Sequence, residues 1–129
     1  MDAYLQHEHL ILHAGRAPSD AIDTALATKG FKRKVAMQFP HGLAAVIVLS
    51  HTDMIATVTR GAALLFKEQA ALTLQELPFQ VERSEFRLVW HPRLTPSPAH
   101  KWLRHSLSGI GLAIERELSS LGADQVVLN

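Results

Sequence analysis

The sequence predicts an α/β protein in which strands alternate with helices around a mainly parallel sheet, three layers deep with both faces covered. Three observations carry this. Short apolar or alternating runs recur at 9–13, 35–39, 54–59, 72–78 and 86–90. Helical patterns fall between most of them, and Gly or Pro punctuates the junctions.

The elements follow in order. His9-Leu10-Ile11-Leu12-His13 is a short apolar run closed by Ala14-Gly15 and reads as a buried strand. Ser19 or Asp20 can cap a helix whose apolar positions 22, 25 and 26 share one face and which stops near Gly30. In the run Val35 to Phe39 the residues Val35, Met37 and Phe39 alternate, which predicts a strand stopped by Pro40. The run Leu43 to Leu49 fits strand or helix. It is read as a helix because it follows a Pro break, against the β-branched trio at 46–48. Met54 to Thr59 is a third strand, 62–70 a helix, and 72–78 a fourth, alternating strand. Residues 79–85 read as a connection, and Phe86 to Trp90 as a fifth strand closed by His91-Pro92. Ser97 is a natural N-cap and Pro98 suits the first helical position. From there Leu103, Leu107, Ile110, Ile114, Leu118 and Leu121 form one apolar stripe on a long helix. Gly109 and Gly111 weaken that helix and Gly122 stops it, which leaves 122–129 as a loose tail.

Length and composition bound the function. The chain has 129 residues, the size of one domain, and 47% of them are hydrophobic, enough for a real core. Its 13 basic and 12 acidic residues leave a net charge of +1, so bulk charge gives no nucleic-acid footprint. The absence of cysteine excludes disulfides, thiolate zinc sites and a cysteine nucleophile. The first residues do not resemble a signal peptide, and Leu43–Leu49 is far short of the roughly 20 residues that span a bilayer. A soluble cytoplasmic protein without membrane contact is the expectation.

In open α/β sheets ligands bind outside the carboxyl ends of the strands. Three such ends are legible: 13–19, with Gly15 and Arg16; 39–42, with Pro40, His41 and Gly42; and 58–61, with Thr59 and Arg60. Each runs into a helix N-terminus, where free N–H groups and the helix dipole favour an anion. The same residues also serve ordinary β-to-α turns. His7, His9 and His13 share one face of an extended segment, but a metal needs further ligands and an outer shell, and no HExxH pattern exists. His91, His100 and His105 read as surface or interface residues. No G-x-S-x-G elbow, P-loop or dinucleotide fingerprint is present, and Asp20, Asp23 and Asp53 are accounted for as capping and helix-start residues. Catalysis is unsupported, and no cofactor or metal is expected.

Some segments are more specific. Phe86-Arg87-Leu88-Val89-Trp90-His91-Pro92-Arg93, followed by Ser97-Pro98-Ala99-His100-Lys101-Trp102-Leu103-Arg104, resembles the closing segment of LysR-type effector-binding domains. Arg33 to Ala44 is similar to that family's strand–Pro-His–helix segment, and Thr52 to Arg60 to its next strand and turn. His13-Ala14-Gly15-Arg16 stands at a further family turn and matches it weakly. The similarity spans about residues 5 to 110, and four matches in order are specific where one is not.

The resemblance implies a type 2 periplasmic-binding-protein fold, with two α/β subdomains around an effector cleft. On that reading, 8–83 is the second subdomain. Residues 84–121 are the returning strand and long helix of an incomplete first one, and 122–129 is a flexible tail. The rest of the first subdomain and a winged helix-turn-helix would lie outside this sequence. The implied contacts are Pro40, His41 and Gly42, with Thr59, Arg60, Gly15 and Arg16 beside them. Thr59 and Arg60 depart from the family's more usual turn. The implied ligand is a small anionic or aromatic effector, and DNA would be reached only through the absent N-terminal domain. Two alternatives stand beside this. One is an oligomerisation module, a homo-oligomer that packs or exchanges 86–121 with a neighbour. The other is a small α/β enzyme.

Overall fold

A computed structural model of the chain describes residues 1–12, 21–82, 85–122 and 124–129. It divides into two compact units, Met1–Glu82 with Ala123–Asn129, and Arg83–Gly122.

The first unit is an α/β sandwich. A short helix, α1 (Asp2–Gln6), leads into β1 (Glu8–Leu12). Helix α2 (Ala21–Ala27), strand β2 (Lys34–Phe39), helix α3 (Gly42–Leu49), strand β3 (Ile55–Thr59), helix α4 (Arg60–Gln69) and strand β4 (Leu74–Glu76) follow. A fifth strand, β5 (Gln125–Leu128), closes the unit. The sheet order is β2-β1-β3-β5-β4. β1 pairs in parallel with β2 and β3, while β5 is antiparallel to both of its neighbours. The sheet is therefore mixed: β1 to β4 share one direction and β5 opposes them.

The period of two in the strands sorts side chains onto two faces. One face packs Leu10, Ala56, Val58, Val126 and Leu128 against Ala45, Val46 and Leu49 of α3 and Ala63 of α4. The other packs Ile55 and Val127 against Tyr4 of α1 and Ile22 and Leu26 of α2. The 43–49 run is helical, as the Pro break indicated. Its Ala45, Val46 and Leu49 face the sheet, while Leu43 and Ile47 face out. Gly30, at φ 75°, turns the chain out of α2 in a conformation that costs glycine least. β2 is a sheet edge, and its alternating Val35 and Met37 are exposed.

The sequence reading missed three features. The segment Asp2–Gln6 is helical and its Tyr4 is buried. The tail expected to be loose contains β5, whose Val126, Val127 and Leu128 are buried between β3 and β4. Four apolar-rich residues are too few for a periodicity signal, and only the slot in the sheet makes them a strand. Conversely, 86–90 is not a strand: it has no ladder partner among the described residues, and Phe86 is 90% and Val89 85% exposed. An apolar run becomes a strand only where a neighbouring edge takes its backbone N–H and C=O groups.

The second unit, by itself, is a 3-10 turn (Pro92–Leu94) and the long helix α5 (Pro98–Ser119). Ser97 caps α5 as expected, its hydroxyl accepting from the His100 N–H at 3.4 Å. The helix runs through Gly109 and Gly111 and ends just before Gly122, whose φ is 116°. No residue of α5 is buried, and Leu103, Leu107, Ile110 and Ile114 of its stripe are exposed, as is Leu121 just past its end. No helix among the described residues is long and apolar enough to cross a membrane.

Candidate functional site

The pairing of Leu12 with Phe39, and of Leu10 with Ala56, sets the carboxyl ends of β1, β2 and β3 level. The chain leaves β1 to one side for β2 and crosses to its other side for β3, so the order reverses at β1. This is the place where α/β sheets open a crevice.

Two loops stand there among the described residues. After β2, Pro40 and His41 are exposed, and His41 is the N-cap of α3 with extended backbone at φ −122° and ψ 123°. Its imidazole makes no capping hydrogen bond and is turned to solvent. Gly42 is the first residue of α3. A Cβ built there would stand 2.6 Å from Phe66 Cζ, so the tip of the Phe66 ring of α4 would have to shift to admit a side chain. After β3, Thr59 is the N-cap of α4, half-buried and without a side-chain cap bond. Neither helix has an acidic residue in its first turn, so both present the positive end of the dipole uncompensated.

Arg60 differs from the expectation of an open cleft residue. It is buried, and its guanidinium pairs with the Glu76 carboxylate on β4. Its backbone N–H donates to the Asp124 carbonyl at 2.7 Å. Arg60 therefore ties the turn to β4 and β5. Gly15 and Arg16 lie outside the described residues, as does His13 of the histidine trio. The other two histidines of that trio are engaged with backbone. His7 Nδ1–H donates to the Asp53 carbonyl at 3.1 Å, and His9 Nε2–H to the Tyr4 carbonyl at 2.9 Å.

His9 is the feature the sequence reading undervalued. It is fully buried, stacked edge-on against Tyr4 at 4.6 Å, and its Nδ1 has no hydrogen-bond partner. Burial holds its pKa below the usual value; the Tyr4 carbonyl opposes this, and nearby Arg33 adds to it. Arg33 is itself buried and grips Asp23 of α2 through two hydrogen bonds, at 2.7 and 3.0 Å. The Tyr4 hydroxyl is 2.8 Å from Thr57 Oγ1. A histidine inside an apolar strand is the signal for such a group, and nothing in the sequence says which neighbours close over it. A separate recess of about 160 Å³ lies beside α1, lined by Tyr4, His7, Ile55, Glu76 and Val127 among others.

The family model of the LysR substrate binding domain matches residues 1–109. The chain belongs to the LysR substrate-binding domain family. It is 30% identical over 97 residues to the HTH-type transcriptional activator NagR of Ralstonia, covering 75% of this chain and 32% of that one. It is 27% identical over 116 residues to the HTH-type transcriptional regulator YidZ of Salmonella newport, covering 84% and 36%. The chain thus spans about a third of the length of these curated relatives.

Proposed function

We propose that this chain is the effector-sensing part of a LysR-type transcriptional regulator and is not an enzyme. The observation that carries this is the family match over residues 1–109 together with level strand ends that open onto two dipole-bearing helix N-termini. On this reading, residues 8–83 are the second subdomain of a periplasmic-binding-protein-like fold, and 84–121 return to the first. Pro40, His41, Gly42 and Thr59 form one wall of the cleft. Gly15 and Arg16 are further candidate contacts, and Arg60 sets the wall's position from behind. The effector is a small anionic or aromatic molecule that bridges two subdomains and binds one orientation better, shifting the population that DNA sees through another part of the regulator.

The test is a titration of benzoate into this chain, followed by amide chemical shifts. Millimolar binding that moves His41, Gly42, Leu43 and Thr59, and is lost in His41→Ala, is the expected result. Shifts elsewhere, or unchanged binding in the variant, would remove these loops from the site. The effector wall is half a cleft, so weak affinity follows from the geometry.

A second reading is favoured by α5, whose apolar stripe has no buried residue. On it the regulator is a homo-oligomer that covers residues 86–121 with a neighbouring copy. Light scattering across a dilution series tests this, and a monomer at every concentration would sink it.

A further inference from the structure

We propose that α1 is a proton-operated cover, and that charging His9 swings it off the sheet about His7.

The His9 ring has no easy place for a second proton. It is fully buried, and its strand is paired on both sides, with β2 and β3. Nε2–H donates to the Tyr4 carbonyl, so the neutral ring carries its proton there and leaves Nδ1 bare. Nδ1 meets no hydrogen-bond partner among the described residues. A proton arriving there makes a buried cation with an N–H that nothing accepts. The Tyr4 carbonyl favours that cation, but burial outweighs it. Among the charged groups facing the ring, Arg33 and His7 oppose the cation and Asp23 of α2 favours it, with Arg33 ahead of Asp23 in weight. β3 and the 77–81 segment bring Ile55, Thr57, Leu77, Phe79 and Val81 to this side of the sheet, none of them charged.

Relief comes from the weakest element over the ring. β1 cannot move without breaking two ladders, and Arg33 holds α2 through two hydrogen bonds to Asp23. α1 is five residues long, has no side-chain cap and is too short to keep its shape alone. It is held by the packing of Met1, Tyr4 and Leu5 in the core on this face and by the Tyr4 hydroxyl on Thr57. A recess of about 160 Å³ on its flank, lined in part by Tyr4 and His7, leaves that packing incomplete. His7 marks the hinge: its backbone is extended and ends the helix, while its ring donates to the Asp53 carbonyl. Lifting α1 admits water to His9 and uncovers Ile55 and Val127. The closed form holds the His9 pKa below 6.5 and the open form does not, so closure is strongest above pH 6.5. Each pH unit below it favours the open form by up to about tenfold.

Tyr4 is the only tyrosine in the sequence, so ring-labelled ¹³C-tyrosine gives one signal from the cover. The chain is titrated from pH 8 to pH 4.5. The expected result is a move of that signal to its unfolded-chain position, with a midpoint below 6.5 that matches the titration of the His9 ring. Ala45, Val58 and Leu128, in the core on the other face, keep their native signals. In His9→Gln the Tyr4 signal should stay in place, and in His7→Gln it should still move. A Tyr4 signal that holds its place after His9 has charged overturns the cover, as does one that moves only when Ala45, Val58 and Leu128 unfold with it. The same transition in His9→Gln, or its loss in His7→Gln, overturns it too. Should His9→Gln not fold, Tyr4→Phe decides. Losing the bond to Thr57 weakens closure and should raise the His9 midpoint toward 6.5, and an unmoved midpoint overturns the proposal.

Discussion

The guanidinium of Arg104 lies 4.8 Å from the centre of the Trp90 ring. From there it donates to two backbone carbonyls, Leu94 at 3.3 Å and Thr95 at 3.1 Å. The Trp90 indole N–H donates in turn to the Thr95 hydroxyl at 3.1 Å, and His91 Nδ1 accepts from the Arg93 N–H at 3.2 Å. The residues that carry the family resemblance thus form a local clasp that joins the 3-10 turn to the first turns of α5. A planar, forked cation suits this place because it can stack on the indole and donate to two carbonyls at once.

Removing the clasp has a defined cost. Arg104→Ala loses a partly exposed cation–π contact and two hydrogen bonds, together about 1–2 kcal/mol of local stability. Arg104→Lys restores the charge and only part of the loss. Trp90 fluorescence in a Trp102→Phe background reads the effect, with a red-shifted, solvent-exposed indole expected in Arg104→Ala. An unchanged spectrum would show that the clasp does not order the segment.

His9 makes stability depend on pH. Its folded pKa is below the unfolded value of 6.5, so the unfolded chain binds more protons between the two. The His9 contribution is whole above pH 6.5 and falls as pH drops from there toward the lowered folded pKa. Arg33, His7 and Asp23 face the ring and set the remaining electrostatics. Urea midpoints at pH 8 and pH 5.5 are expected to separate more in wild type than in His9→Gln, which keeps a donor for the Tyr4 carbonyl without titrating. Equal separations would remove His9 as the source.

The Arg60–Glu76 pair anchors β4 to the α4 turn. Glu76 is 58% exposed, so Glu76→Gln is expected to cost about 1–2 kcal/mol, below the 3–5 of a fully buried pair. Thermal unfolding in low salt checks this, and 1 M salt should shrink the difference between wild type and variant. A difference that grows with salt would contradict an electrostatic anchor.

Gly42 and Phe66 are coupled by space. Gly42→Ala places a methyl against Phe66 Cζ and should destabilise by about 1–2 kcal/mol through the displaced ring. In a Phe66→Leu background the same substitution should cost clearly less, so the double-mutant cycle reads a coupling. Additive effects would show that the glycine serves something other than the approach of α4.

Much of the first unit was legible because its signals are local. Apolar patterning and the Gly and Pro breaks found β2, α3, β3 and α4 to within two residues, and Ser97-Pro98 marked the start of α5. The strand-end loops were legible as well, since Pro40, Gly42 and Thr59 punctuate the junctions where α/β sheets bind ligands. The commitment of Arg60 to Glu76 was not, because an arginine at a turn carries no mark of the partner 16 residues away.

The sequence by itself determined the alternating α/β pattern, the Ser97 cap of α5 and the family, all of which rest on neighbours in the chain. Only the tertiary structure decided which apolar runs become strands. Phe86–Trp90 is rich in apolar and β-favouring residues and finds no edge, whereas Gln125–Leu128 has little pattern and completes the sheet. A helix satisfies its backbone within itself, but a strand is made by its neighbours, and the neighbours of β5 are more than 45 residues away in sequence.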